Sequence, residues 1–254
     1  MILNISLPGK AGKAEIAYTG AYTLKQITSG GVTYDLYTLT GSGTLTVKGT
    51  AKNVDVWCCG GGATYSAFNG GAGAYCAQVD AQSLRGSYIV TIGGSGGNTT
   101  VGSLVTANGA TTCNGGTGGG GANIGGNYNA PTGDGKTKYP FGDTTNFQCH
   151  CAGGGGGGGN YYNDDNTWRY TGGAGGSNGS NGAKSTSGIG DAGTGGNYGG
   201  GQGGSRHSVN GKAATFYGSG GGGYGSGSYG NYEPNHGTAG SGYQGVVYIR
   251  VPVT

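Results

Sequence analysis

Glycine accounts for 68 of the 254 residues, about one in four against a usual share of roughly 7%, and no other feature limits the possible folds so tightly. Glycine brings no side chain to a core and loses more conformational freedom on ordering than any other residue. Leu, Ile, Val and Phe together number only 34, under the share of roughly 20% below which an ordinary apolar core becomes doubtful. A large packed core is therefore excluded, and with it the rigid scaffold on which a catalytic domain of this length holds its site. A non-enzymatic protein that uses no cofactor is the expectation.

The glycines are unevenly spread. Eight lie in residues 1–52, 13 in 53–114 and 47 in 115–245. Before residue 115, short runs rich in β-branched and aromatic residues alternate with glycine turns, as strands do. These runs are Val32 to Thr40, Thr44 to Val47, Val54 to Cys59, Ala74 to Asp80, Ser87 to Ile92 and Gly102 to Ala107. The pattern returns once more, at Val246 to Val251, which is expected to close the sheet beside an early strand. No segment has a sustained 3.6-residue apolar period, so helix should be almost absent. The expected architecture is all-β: residues 1–114 form a β-meander or small β-sandwich, 115–245 a glycine-rich region, and 246–254 the closing strand.

Residues 115–245 contain no Leu, and their only Ile, Val and Phe are Ile124, Phe141, Phe147, Ile189, Val209 and Phe216. Hydrophobic collapse cannot fold such a stretch, and low-complexity disorder is the plain alternative. Against disorder stand the strand-like sequence on both sides, the richness in Tyr and Asn, and the spacing of the glycine runs. Those runs suit left-handed polyproline-II-type helices, with three residues per turn and about 3.1 Å rise. Lacking side chains, such helices approach closely and bond through backbone N–H and C=O. Collagen packs comparably but needs a strict Gly-X-Y register and abundant Pro; with 5 Pro and an irregular register, this chain is not collagen. A bundle of single-chain polyglycine-II helices is expected, with the large side chains in its connecting loops.

Other signals are weak. The 13 Lys and Arg against 10 Asp and Glu are scattered singly, without the clustered cations that a nucleic-acid groove requires. No 18-residue apolar run and no basic-then-apolar leader occurs, so neither membrane insertion nor a signal peptide is expected. The six cysteines then belong to a reducing compartment and read as free thiols. Cys149-His150-Cys151 has metal-ligand residue types, but structural zinc sites use wider C-x₂₋₄-C pairs, so no metal is assigned. Two G-x-S-x-G matches, at 93–97 and 175–179, lack the strand-to-helix setting of a nucleophile elbow and read as turns. Gly135-Lys136-Thr137 ends like a phosphate loop, but residue 130 is Ala and no helix follows. Nothing in the sequence gathers Asp164, Asp165, His150, His207 and His236 into a catalytic group.

Several stretches carry a family resemblance when taken in order: Val54-Asp55-Val56-Trp57-Cys58-Cys59-Gly60-Gly61-Gly62, Gly70 to Tyr75, Tyr88 to Gly93, Thr99 to Gly109, and the final Gly245-Val246-Val247-Tyr248-Ile249. In this order they resemble the glycine-rich domain of tail and tail-fibre proteins of tailed bacteriophages and prophages, over roughly residues 30–251. More distantly, the alternation of glycine runs and loops is similar to glycine-rich tail-fibre tip adhesins, an architectural likeness without matched residues. The resemblance implies a virion protein, made in the host cytoplasm and placed at a tail fibre or tail tip. Other tail proteins and a bacterial surface receptor, glycan or protein, would be its partners, and a homo-oligomer is open.

Aromatic residues cluster between the glycine runs. Tyr139 and Phe141 form one group; Tyr161, Tyr162, Asp164, Asp165, Trp168, Arg169 and Tyr170 form a second; Tyr229 and Tyr232 belong to a third. Tyr, Trp, Arg, Asn and Ser are the residues of adaptable binding surfaces, because rigid rings give contact area at low entropic cost. These eleven residues are the candidate receptor-binding set. The competing reading is that the aromatics seal a bundle with no core of its own, which would suit a purely structural tail or capsid-decoration protein. An ice-binding surface would need flat arrays of short side chains and is disfavoured.

Overall fold

The computed structural model describes residues 14–65, 70–112, 139–154, 159–162, 168–170, 199–204, 210–224, 226–227 and 235–253. Twelve strands occur among them: β1 (Glu15–Tyr18), β2 (Tyr22–Ser29), β3 (Val32–Leu39), β4 (Gly43–Cys59), β5 (Cys76–Thr91), β6 (Thr99–Val101), β7 (Val105–Ala107), β8 (Gly159–Tyr162), β9 (Trp168–Tyr170), β10 (Ser226–Gly227), β11 (Asn235–His236) and β12 (Val246–Pro252). The one helical piece among the described residues is the 3₁₀ turn Pro140–Gly142. The protein is mostly β.

The main sheet is antiparallel, in the order β2-β3-β12-β4-β5-β6-β7, with β1 on the free stretch of β4. β12 enters between β3 and β4, pairing Tyr248 with both Thr38 and Trp57. The last strand thus closes the sheet against early strands, as the Val-Val-x-Ile pattern implied. Two pairs of short expected strands are instead single long ones, β4 and β5. Their ladder bends through register shifts between Val47 and Val56 rather than breaking. Gly49, Asn53, Ala81 and Gly86, all at positive φ, lie along this bend, the conformation that a G1-type β-bulge uses.

In place of a two-sheet sandwich, one sheet encloses its own core. Leu39, Leu45, Val54, Val56, Leu84, Val90, Val101, Val247 and Ile249 pack in one cluster, all from strands of this sheet. The bend in β4 and β5 lets β6 and β7 fold over: β7 contacts β4 although two strands separate them in the sheet. The cluster is small, in keeping with the shortage of apolar residues. The opposite face carries Leu36, Trp57, Cys59, Val246 and Tyr248, covered by Phe147 and Cys151 from outside the sheet.

Beyond the ends of β4 and β5, glycine-rich segments pack against each other through the backbone. Gly71 N–H donates to Gly221 O (2.7 Å), Gly220 N–H to Ala152 O (2.8 Å), Gly201 N–H to Gly220 O (2.9 Å), Gly222 N–H to Lys212 O (2.9 Å) and Gly240 N–H to Gly222 O (2.8 Å). A strand in a sheet has neighbours on two sides only. The stretch 218–223, buried throughout, bonds to the stretches around 63, 71, 152, 201, 212 and 240. A Cβ on Gly221 would overlap the carbonyl of Gly240, so such spacing admits only glycine. Because 60–65, 70–75 and 93–112 take part as fully as 199–204 and 210–224, the hydrogen bonds run straight across the expected division at residues 114 and 115.

Candidate recognition surface

A second, four-stranded sheet has the order β11-β10-β8-β9. β8 and β9 are antiparallel, with Gly159 opposite Tyr170 and Tyr162 opposite Trp168. β10 and β11 are likewise antiparallel, with Gly227 opposite Asn235. The joint between the two hairpins is parallel, Ser226 beside Gly159. Parallel pairing of β8 and β10 has a geometric consequence: Tyr162, Trp168, Gly227 and Asn235 all lie at one end of the sheet. The glycine segments that precede β10 and β8 in the chain are hydrogen-bonded to each other as well, Gly220 N–H donating to Ala152 O.

Five of the eleven candidate residues lie on this sheet: Tyr161 and Tyr162 on β8, and Trp168, Arg169 and Tyr170 on β9. The segment expected as a loop is thus partly a hairpin, whose strands follow from its aromatic residues. Asp164 and Asp165, within 163–167, and Tyr229 and Tyr232, within 228–234, lie outside the described residues. Chain separation hides what topology joins here, because 55 residues lie between the two hairpins in sequence.

Tyr139 and Phe141 belong to another segment, which crosses the face of the main sheet. Phe141 is half-buried, its ring 5.7 Å from Phe147 and 4.4 Å from the Arg250 guanidinium carbon; Tyr34 lies on Arg250 as well, at 4.7 Å. Arg250 Nε donates to Asp55 Oδ2 at 2.7 Å, and Asp55 Oδ1 accepts from Ala81 N–H at 2.7 Å. Asn146 Nδ2 donates to Thr28 O (3.0 Å) and Phe141 N–H to Gln78 Oε1 (3.0 Å). Phe141 therefore helps fix its own segment to β5 and β12, and Asn146 fixes it to β2. The Asp55–Arg250 pair was missed in the sequence, where its only sign is a carboxylate inside the apolar run Val54 to Cys59.

Under this segment lies an aromatic cluster centred on His150, which is 1% exposed. Its ring is 4.8 Å from both Trp57 and Phe216, and 5.4 Å from Tyr248. Nδ1 lies 2.9 Å from Gln148 O and Nε2 3.1 Å from Tyr248 Oη. A carbonyl only accepts, so Nδ1 carries the proton, and a neutral Nε2 accepts from the tyrosine hydroxyl. Burial holds the His150 pKa down to about 3, against an ordinary value near 6.5.

Of the thiols of this region, Cys58, Cys59, Cys149 and Cys151 are buried and Cys76 is half-buried; none of the five is in a disulfide, and Cys76 Sγ and Cys151 Sγ touch at 3.4 Å. Cys59 also bonds to Cys151, and burial pushes its pKa well up; burial likewise raises Cys76, to about 11. No group of three or more His, Cys, Asp or Glu suited to a metal ion occurs among the described residues. Ser95, the serine of the first G-x-S-x-G, donates its hydroxyl to Gly62 O at 3.0 Å and pairs with Thr64 Oγ1 at 2.7 Å, tying a turn to the glycine segments. The second match, His207 and the Gly135–Thr137 stretch lie outside the described residues, and His236 is on β11. Set against known protein families, curated proteins and solved structures, the chain matches none.

Proposed function

We propose that this chain is a non-enzymatic tail-fibre or tail-tip protein of a bacteriophage virion, binding a bacterial surface receptor through segments 159–170 and 226–236. The single observation that supports this is the parallel joint between β8 and β10, which gathers two aromatic-rich hairpins from distant parts of the chain into one sheet with a common end. A binding surface needs rigid aromatic area held on an ordered frame. The frame in this reading is a bundle of polyglycine-II helices, favoured by the stretch 218–223 bonding to neighbours on more than two sides.

The test is Trp168→Ala in the full chain, with fluorescently labelled protein and a panel of bacterial strains. Wild type binds at least one strain saturably, and the variant loses about tenfold or more in affinity. Its stability should change by less than about 1 kcal/mol, as at ordinary surface positions. A variant that binds normally but melts much earlier makes the hairpins a seal. That outcome favours the second reading, a purely structural tail or decoration protein, which has its own support in the rings of Phe141, Phe147, Phe216 and Tyr248 serving internal packing.

A further inference from the structure

Cys59, Cys76 and Cys151 meet where the main sheet gives way to the glycine segments. Cys59 and Cys76 are cross-strand partners at the end of the β4–β5 ladder, while Cys151 arrives from a segment 75 residues after Cys76 and touches its sulfur at 3.4 Å. Two features build the space around these sulfurs. Gly218, at φ +71°, lies where a Cβ would come within 2.5 Å of Cys151 Sγ and 3.1 Å of Cys59 Sγ. Cys151 itself has φ +62°, uncommon for a residue with a side chain, and its N–H bonds Tyr217 O at 3.2 Å. The contact between Cys76 Sγ and Cys151 Sγ is about 1.4 Å longer than an S–S bond, which is near 2.05 Å.

We propose that Cys76 and Cys151 are a latent disulfide, closed by a low-molecular-weight disulfide oxidant once the protein leaves a reducing compartment, riveting β5 to the glycine-segment lattice. Cys76 is the entry point, being half-buried whereas Cys59 and Cys151 are fully buried. Its thiolate attacks one sulfur of the oxidant, forming a mixed disulfide and expelling one thiolate. Cys151, losing its proton, attacks Cys76 Sγ and expels the second thiolate. Two protein thiols are thereby oxidised, one external disulfide is reduced to two thiols, and the two protons released pass to them. Burial keeps the Cys76 thiolate scarce at neutral pH, so closure accelerates about tenfold per pH unit between pH 7 and 9.

The full-length native protein is incubated with oxidised glutathione at pH 8.5, alkylated, and digested with chymotrypsin, which cuts after Tyr75 and so separates Cys76 from Cys58 and Cys59. Mass spectrometry should find the Cys76 peptide linked to the peptide holding Cys149 and Cys151. The melting temperature should rise by roughly 5–10 °C and return on reduction. Cys149→Ser and Cys113→Ser retain both results; Cys76→Ser and Cys151→Ser lose both, while their reduced forms keep the wild-type circular dichroism. The proposal is overturned if all six thiols survive a day of oxidation, if Cys59 or Cys113 supplies the partner, or if a glutathione adduct persists unresolved on Cys76.

Discussion

His150 is a base kept neutral by its surroundings, and that makes it a source of acid sensitivity. Its ring is walled by Trp57, Phe216, Tyr217 and Tyr248, and burial is what lowers its pKa. In the unfolded chain the pKa returns to about 6.5, so between about pH 6.5 and 3 the unfolded state binds the proton that the native state refuses. Stability from this residue is complete above pH 6.5, is lost as the pH falls, and is gone below about 3. From pH 7 to pH 4 the cost is at most about 3 kcal/mol. Urea titrations of wild type and His150→Gln at the two pH values measure it: the wild type should lose more stability than the variant by an amount of this order. Equal losses would mean that His150 is accessible to protons. Nothing in the tripeptide Cys149-His150-Cys151 foretold that Trp57 and Tyr248, about 100 residues away on either side, would surround the imidazole.

At the scale of elements, strands and glycine segments are specified by opposite means. β3, β4, β5 and β12 are legible because alternating β-branched and apolar residues state both the strand and its buried face. β1 and β2 were not, and the reason is physical: β2 is an edge strand in which only Ile27 is buried, so nothing in its pattern separates it from a polar loop. The glycine segments are specified by the absence of a side chain. Gly221→Ala, whose Cβ would meet Gly240 O, should cost about 3 kcal/mol or more, as overpacking against a fixed backbone does. Gly94→Ala, where nothing lies within 4 Å of the new Cβ, should cost less than about 1 kcal/mol. Thermal unfolding of the two variants decides, and equal Tm values would remove the close-packed lattice.

For the whole molecule, the backbone network implies that sheet and glycine segments unfold together. Gly62 N–H bonds Tyr243 O, Gly221 N–H bonds Ala63 O and Gly245 N–H bonds Gly93 O, so neither part can open without breaking bonds to the other. Amide exchange should therefore find 199–204 and 218–223 protected to the same level as Val54, Val56 and Val247 in the core. Random-coil exchange in the glycine segments beside a protected sheet would show two independent parts.

The sequence alone determined the class of structure: too few apolar residues for a large core, β periodicity without helical periodicity, a closing strand at the C-terminus, and glycine runs that only close backbone packing can order. It also marked the aromatic segments as a set apart, because composition is local information. Only the tertiary structure decided that one sheet curls around its own core, since the bends in β4 and β5 come from a few positive-φ residues and carry no hydrophobic signature. It alone joined β8 and β9 to β10 and β11, and Cys151 to Cys59 and Cys76. Glycine segments have no side chains with which to encode a partner, so their neighbours are chosen by where the flanking strands, Cys59 and Val246 above all, deliver them.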